Sequence, residues 1–183
     1  MRINSEKLSK LAGAQGVAAE QLAEALPKGE RRKERERAAT KVGNWLAGRD
    51  HPRCKPVEIA AMANVLGVEP KDIATFTSEY RFARMSWRKT CLVAEMIRGR
   101  SFDEAESILE FSPKRAAVFV RKALNAAAAD AQAADADASL LVVTESRVEG
   151  GPTIKRFHPK DRGRAHPIHK RTSHIVVAVE EVG

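Results

Sequence analysis

The sequence has little cysteine and no long hydrophobic run. Its two cysteines, Cys54 and Cys91, have neither the spacing of a metal site nor the number needed for a disulfide framework. No stretch approaches the roughly 18 apolar residues of a membrane helix, and the start, "MRINSEKLSK", contains no apolar signal segment. These absences predict reduced thiols and a cytosolic protein with no membrane partner.

The sequence also lacks the patterns that indicate catalysis or cofactor binding. No glycine-rich phosphate loop precedes a helix, no Ser, His and Asp set forms a recognisable triad, and no carboxylate cluster accompanies the basic segments. His166, His169 and His174 do not follow the spacing of a structural zinc site, which favours stacking on bases or hydrogen bonding to phosphate. We therefore expect no catalytic residues, cofactor, metal ion or small-molecule substrate.

Positive charge is in excess. The chain of 183 residues contains 32 Lys and Arg against 24 Asp and Glu, for a net charge of +8. This balance favours a polyanionic partner, most simply nucleic acid. A soluble basic protein without such a partner would have the same composition.

Residues 1–76 are predicted to be all helical. Leu22 and Leu26 lie one turn apart in "VAAEQLAEAL", and Lys28 and Gly29 follow Pro27 where that helix breaks. A later segment, "KPVEIAAMANVLGVEPKDI", has apolar residues at helical spacing and then a glycine at the C-cap position. Short helices joined by tight turns predict a small all-α bundle.

The order of these helices resembles helix-turn-helix domains of the phage-repressor type. In this resemblance "LAEAL" precedes the recognition helix, "VGNWLAGR" ends it and "EIAAMANVLGV" is the closing helix. The basic stretch "PKGERRKERER" departs from the pattern, because a tight turn is expected there. Two interpretations stay open: a DNA-binding transcriptional regulator acting through this region, and a generic helical bundle with a solvated charged face.

Residues 77–183 combine three predicted helices with strand sequence. "YRFARMS" alternates as a short strand. The first helix is predicted to bury one stripe: Leu92, Val93, Met96 and Ile97. Ser101 and Glu104 fit a capping box at the start of the second helix, and the third is predicted to have Ser112 as N-cap and Pro113 as its first residue. The third helix buries small residues and has cations on its other face, placed to meet phosphate: Lys114, Arg115, Arg121 and Lys122.

A basic arm separates two predicted strands, "SLLVVTESRVE" and "HIVVAVEE". Between Gly150 and His174 there are seven Lys or Arg and one acidic residue, Asp161. Gly163 can adopt positive φ without steric cost, so "PKDRGRA" is predicted to be a hairpin tip. Prolines belong on edge strands, and a cationic arm of this kind needs a partner such as phosphate-rich nucleic acid to stabilise it.

Two segments of this half carry a specific resemblance. "ARMSWRKTCLVAEMIRGRSFDEAESILEFSPKRAAVFVRKALNAAAADAQ" and "VEGGPTIKRFHPKDRGRAHPIHKRTSHIVVAVEE" resemble the universal large-subunit ribosomal protein family L-twenty-two. The resemblance implies an α+β fold, with three helices packed on a small antiparallel sheet and a long protruding β-hairpin at about 152–174. Residues 1–76 then form a small all-α helical-bundle extension. It also implies a structural constituent of the large subunit in the cytoplasm, with rRNA, neighbouring ribosomal proteins and the nascent peptide as partners.

The resemblance assigns candidate residues to two roles. The rRNA-binding set is Arg84, Arg88, Lys89, Arg98, Arg100, Lys114, Arg115, Arg121, Lys122, Lys155, Arg156, Lys170, Arg171, Thr172, Ser173 and His174. The hairpin expected along the exit tunnel comprises Phe157, His158, Pro159, Lys160, Asp161, Arg162, Gly163, Arg164 and Ala165. Two residues depart from the family pattern. Cys91 stands where a basic residue is frequent, and Asp161 places an acidic residue at the hairpin tip.

Overall fold

The chain forms two compact units. The computed structural model describes residues 1–27 and 32–182, and of residues 32–36 only the backbone. The predicted helix break at Lys28 and Gly29 lies outside the described residues, as do Glu30 and Arg31 at the start of the basic stretch. The first unit is Met1–Phe76 with Ala133–Ala136, and the second is Thr77–Gln132 with Asp137–Gly183.

The first unit is built from four α-helices and a short 3-10 turn. The helices are α1 Ser5–Gln15, α2 Ala19–Ala25, α3 Arg32–Leu46 and α4 Pro56–Leu66, and the 3-10 turn is Pro70–Ile73. Asn4 caps α1, since its side chain accepts hydrogen bonds from the backbone N–H groups of Glu6 and Lys7. The core of the unit contains fully buried side chains from all four helices: Leu8, Leu22, Trp45, Ile59 and Met62.

The helical bundle predicted for residues 1–76 is confirmed, but short extended segments stand at both of its ends. Strand β1 is only Arg2–Ile3, and it pairs antiparallel with Ala74 and Thr75 at the start of strand β2, Ala74–Ala83. The strand predicted at "YRFARMS" therefore begins earlier than expected. The run "ATFTSEY" contains the β-branched and aromatic residues that favour extended backbone, whereas a two-residue strand has no sequence pattern of its own.

The second unit packs three helices on an antiparallel sheet, as the sequence predicted. The helices are α5 Trp87–Ile97, α6 Phe102–Phe111 and α7 Arg115–Gln132, and a 3-10 turn at Ala138–Leu140 precedes strand β3. Strand β3 is Leu141–Gly150, β4 is Ile154–Pro159, β5 is Ala165–Lys170 and β6 is Ser173–Glu181. Strand β6 lies between β2 and β3, and its antiparallel register with β3 runs from Leu141 opposite Glu181 to Gly150 opposite Ser173.

Strand β6 is buried on both faces. Ile175, Val177 and Val179 have no exposed surface, and Val176 and Ala178 on the opposite face are also buried. The unbroken apolar run in "HIVVAVEE" predicted a strand within a sheet, and this prediction is confirmed.

Two helix predictions need correction. Helix α5 buries Thr90, Val93, Ala94 and Ile97, whereas Leu92 is 57% exposed and Met96 is 40% exposed. The buried stripe follows the i, i+3, i+4, i+7 spacing but starts at a threonine. Helix α7 begins at Arg115 rather than at Pro113, and Ser112 is instead the residue that ends α6.

Glu58 generates a pH-dependent prediction for the first unit. The residue is 5% exposed, its Oε1 lies 2.8 Å from Lys41 Nζ, and its Oε2 accepts a hydrogen bond from the Lys55 N–H. Burial opposes ionisation, but the hydrogen bonds from Lys41 and Lys55 outweigh it and hold the pKa of Glu58 below its usual value. Its stabilising effect is therefore complete above the unfolded-state pKa of about 4.3 and is lost as the pH falls through the lowered folded-state pKa.

We expect Glu58→Gln to lower the free energy of unfolding by about 1–3 kcal/mol at pH 7, and we expect this difference to shrink as the pH falls below about 4. The free energy of unfolding is measured by urea titration in a Trp87→Phe background, with the fluorescence emission of buried Trp45 as the signal. Glu69→Gln is the control, because the Glu69 carboxylate is exposed beside Lys71. A difference between Glu58→Gln and wild type that does not change with pH would contradict the prediction.

Candidate nucleic-acid interface

The arm is an exposed two-stranded hairpin with a sheet of its own. Strands β4 and β5 pair antiparallel, from Ile154 opposite Lys170 to Pro159 opposite Ala165. Every residue from 155 to 171 is exposed. Because a two-stranded hairpin without a packed face is marginal in water, this segment has the properties of a surface that acquires a partner.

The tip of the hairpin is a 3-10 turn at Asp161–Gly163. Gly163 has φ +70°, as the turn prediction required, and Arg162 also has positive φ, at +54°. The Lys160 N–H donates to the Arg164 carbonyl at 2.7 Å, and the Arg164 N–H donates to the Asp161 carbonyl at 3.1 Å. The positive φ at Arg162 was not anticipated, because arginine rarely adopts it.

The hairpin residues proposed for the tunnel wall are all present on this exposed element. They run along β4 into the tip and the first residue of β5: Phe157, His158, Pro159, Lys160, Asp161, Arg162, Gly163, Arg164 and Ala165. Among the described residues, none of the seven cations between Gly150 and His174 forms an ion pair with an acid. Their mutual repulsion is therefore not relieved by any ion pair in the described part of the chain.

The base of the hairpin is closed by Gly151 and Thr172. The Gly151 N–H donates to the Thr172 carbonyl at 2.9 Å, and the Thr172 hydroxyl donates to the Pro152 carbonyl at 2.7 Å. A Cβ atom at Gly151 would lie 2.5 Å from Thr172 Oγ1 and 3.2 Å from the Thr172 carbonyl carbon. This close approach requires glycine at position 151.

Three residues predicted to bind rRNA are turned toward the protein at this base. Thr172 is 4% exposed and Ser173 is fully buried, so neither side chain is presented to a partner. The Thr172 hydroxyl closes the hairpin base, whereas Ser173 Oγ has no hydrogen-bond partner among the described residues. His174 Nδ1 accepts a hydrogen bond from the Phe82 N–H at 3.4 Å, and its ring packs edge-on against Phe82 at 4.8 Å. The sequence signal for this outcome is that "TSH" directly precedes a two-sided apolar strand, where inward-facing positions are expected.

The nine predicted cations outside the hairpin fall into two groups. Three of them bind groups of their own unit. Arg98 donates to the Ser146 carbonyl at 2.6 Å, Arg100 donates to the Met96 carbonyl at 2.9 Å, and Arg121 lies 3.6 Å from Glu106. The other six are exposed and form no ion pair with any described acid: Arg84, Arg88, Lys89, Lys114, Arg115 and Lys122. With Lys155, Arg156, Lys170 and Arg171 of the hairpin, this second group is available to phosphate.

A groove of about 440 Å³ lies where α5 meets the hairpin base. It is lined by Trp87, Gly150, Gly151, Thr153, Lys155, His169, Arg171 and Thr172. The indole of Trp87 is 41% exposed, and the guanidinium carbon of Arg88 lies 5.8 Å from its ring centre. The sequence analysis missed Trp87. An aromatic residue directly followed by two cations, as in "SWRK", is the signal that could have identified it.

Cys54 is a buried thiol, and Cys91 is partly exposed. Burial, followed by the nearby charges of Glu58 and Asp50, raises the pKa of Cys54 to about 12. Burial and then Glu95 raise the pKa of Cys91. Neither thiol forms a disulfide, and a raised pKa disfavours the reactive thiolate.

Within residues 1–27 and 32–182, no three His, Cys, Asp or Glu side chains come together as a metal site. In the same part of the chain, none of the helices has the length and apolar character needed to span a bilayer.

Residues 78–180 match the family model described as "Ribosomal protein L22p/L17e". The chain is 47% identical over 110 residues to the large ribosomal subunit protein uL22 of Latilactobacillus sakei subsp. sakei, covering 60% of this chain and 94% of the relative. It is 53% identical over 98 residues to uL22 of Rubrobacter xylanophilus, covering 53% of this chain and 77% of the relative. It is 45% identical over 112 residues to uL22 of Lactobacillus helveticus, covering 61% of this chain and 96% of the relative.

The close approach at Gly151 predicts that Gly151→Ala weakens the hairpin base. The added methyl group displaces Thr172, at a cost of about 1–3 kcal/mol, so the amide at position 151 should exchange with solvent roughly 5- to 150-fold faster. Hydrogen exchange followed by NMR measures this rate. Gly150→Ala is the matched control, because its Cβ would meet only a Trp87 carbon at 4.0 Å. Equal exchange rates in the two variants would show that the base tolerates a side chain at position 151.

Proposed function

Because the chain belongs to the ribosomal protein L22p/L17e family, we propose that it is a structural constituent of the large ribosomal subunit that binds large-subunit rRNA. The observation that carries the proposal is the exposed hairpin, whose seven cations have no acidic partner among the described residues. Its role is architectural and not catalytic, and its place of action is the cytoplasmic ribosome.

Phosphate neutralisation is the proposed mechanism of binding. Cations that approach phosphates release condensed counterions, which makes binding favourable and strongly dependent on salt. The unpaired cations on α5 and α7 and those on the hairpin occupy separate elements of the second unit. Folded RNA is recognised largely through its shape and its backbone, so contacts from several elements would connect rRNA segments during subunit assembly.

The hairpin tip is proposed to line the exit tunnel. A strand of six residues, such as β4, spans roughly 20 Å, so the tip can reach well beyond the body of the unit. The element is exposed from residue 155 to residue 171, which suits a position between rRNA and an adjacent nascent peptide. Asp161 is the one acid on the arm, and we propose that it faces the tunnel lumen and not the rRNA.

The first unit is proposed to be an accessory extension. The family match begins at residue 78, so residues 1–76 lie outside the part of the chain that the family shares. Contacts with neighbouring ribosomal proteins suit an appended helical bundle. No specific observation favours the alternative of a DNA-binding regulator, whose key turn falls on residues outside the described part of the chain.

We expect Lys170→Glu combined with Arg171→Glu to abolish incorporation into large subunits. The substitutions place two negative charges at the end of β5 beside rRNA phosphates, where like charges repel. Sedimentation of cell lysate in high salt, with detection of the chain in each fraction, measures incorporation.

Arg49→Glu combined with Arg53→Glu is the control for this experiment. It changes the net charge equally, and both residues are exposed in the first unit, outside the family match. The proposed contacts are wrong if the hairpin double variant sediments with large subunits as the wild type does.

Deleting residues 2–73 should leave incorporation largely intact. This deletion keeps the whole of β2 and every element of the family match. The same sedimentation assay tests this prediction, by comparing the amount of truncated chain in the large-subunit fractions with that of the full-length chain. Complete loss of the truncated chain from large subunits, despite normal expression, would assign an essential assembly role to the first unit.

A further inference from the structure

The groove at the hairpin base brings together an aromatic ring and several cations. Lys155 and His169 are directly opposite each other in the hairpin register, so their side chains are on the same face. Arg171 follows the end of β5, and Trp87 is the first residue of α5. All four residues line the same groove. A ligand that fits here must combine a planar apolar surface with negative charge.

The first turn of α5 is electrostatically unfavourable as it stands. It contains Arg88 and Lys89 and no acidic residue, and the side chain of the N-cap residue, Ser86, makes no capping hydrogen bond. Cations at a helix N-terminus are repelled by the helix dipole. A bound anion would relieve this repulsion and accept hydrogen bonds from the N–H groups of the first turn.

The exposure of Trp87 indicates the planar component of the ligand. Large aromatic side chains are mostly buried, but 41% of this residue is exposed at the mouth of a cationic groove. A phosphate ion alone would make no use of the indole. Nucleobases stack on aromatic side chains and on arginine guanidinium planes, and Arg88 already lies against this ring.

We propose that the groove binds one unpaired nucleotide of the large-subunit rRNA, with its base stacked on Trp87 and its phosphate bound by Lys155, Arg171 and the first turn of α5. The inference rests on the proposed ribosomal function and adds to it a specific subsite. The hairpin base therefore binds a nucleotide that is extruded from the RNA helix, in addition to backbone phosphates along the arm. Gly150 leaves room for that nucleotide, since a Cβ atom there would lie 4.0 Å from the indole of Trp87.

Fluorescence of the full-length chain tests stacking directly. Trp45 is buried in the first unit, so subtracting the spectrum of Trp87→Phe isolates the emission of Trp87. The probes are a short single-stranded RNA and the same oligomer lacking its bases. We expect the complete oligomer to quench Trp87 and the abasic oligomer to leave its emission nearly unchanged.

Affinity for the same oligomer provides the second measurement. Loss of one base stack should weaken binding of Trp87→Ala about tenfold, while Trp87→Phe should retain most of the affinity. Phe111→Ala is the matched control, because Phe111 is an exposed aromatic residue outside the groove. Lys155→Ala with Arg171→Ala tests the phosphate contacts without altering α5, and circular dichroism confirms that each variant folds.

Each result separates the subsite from the ribosomal role. The subsite is overturned if Trp87 is not quenched, if the abasic oligomer quenches it equally, if an acidic peptide quenches it more strongly than RNA, or if Trp87→Ala binds as Phe111→Ala does. In those cases sedimentation of the wild type with large subunits still supports the proposed function. Absence of the wild type from large subunits would instead overturn the proposed function itself.

Discussion

Burial of β6 on both faces is the constraint on which the second unit depends. The strand lies between β2 and β3, and its apolar residues supply a large part of the core beneath the helices. The hairpin is inserted between the last residue of β3 and the first residue of β6. The strand that anchors the core therefore also fixes where the arm leaves the body, and the buried pair Thr172 and Ser173 marks that point.

Stability and function are divided between different sets of residues. Helix α7 buries mostly alanine and valine against the sheet, which allows close packing and leaves its long cationic side chains outside. The hairpin has no buried residue between 155 and 171 and contributes no core. The unpaired cations of the hairpin do not stabilise the free protein, whereas a polyanion would neutralise their charge on binding, which is the physical basis of the rRNA-binding proposal.

The sequence predicted the elements whose patterns are local and strong. The two-sided apolar run of β6, the small face of α7 and the turn at Gly163 were all identified correctly. The position of helix α5 along the chain was predicted correctly, but its buried face was not. Leu92 and Met96 were predicted to be buried because they are more hydrophobic, whereas the smaller Thr90 and Ala94 fit the close approach to the sheet. The pairing of β1 with β2 and the contact between Gly151 and Thr172 join residues distant along the chain, so no local pattern could reveal them.

The place of the hairpin between two paired strands has a consequence for the order of folding. If the arm were unstructured, β3 and β6 would be joined by a loop of residues 151–172 instead of a tight turn. Loop-closure entropy grows slowly with loop length. The loop is roughly two and a half doublings longer than a tight turn, and this extra length costs only about 1.5 kcal/mol of loop-closure free energy. The body can therefore fold before the arm is ordered, because an unstructured arm adds little to the cost of pairing β3 with β6.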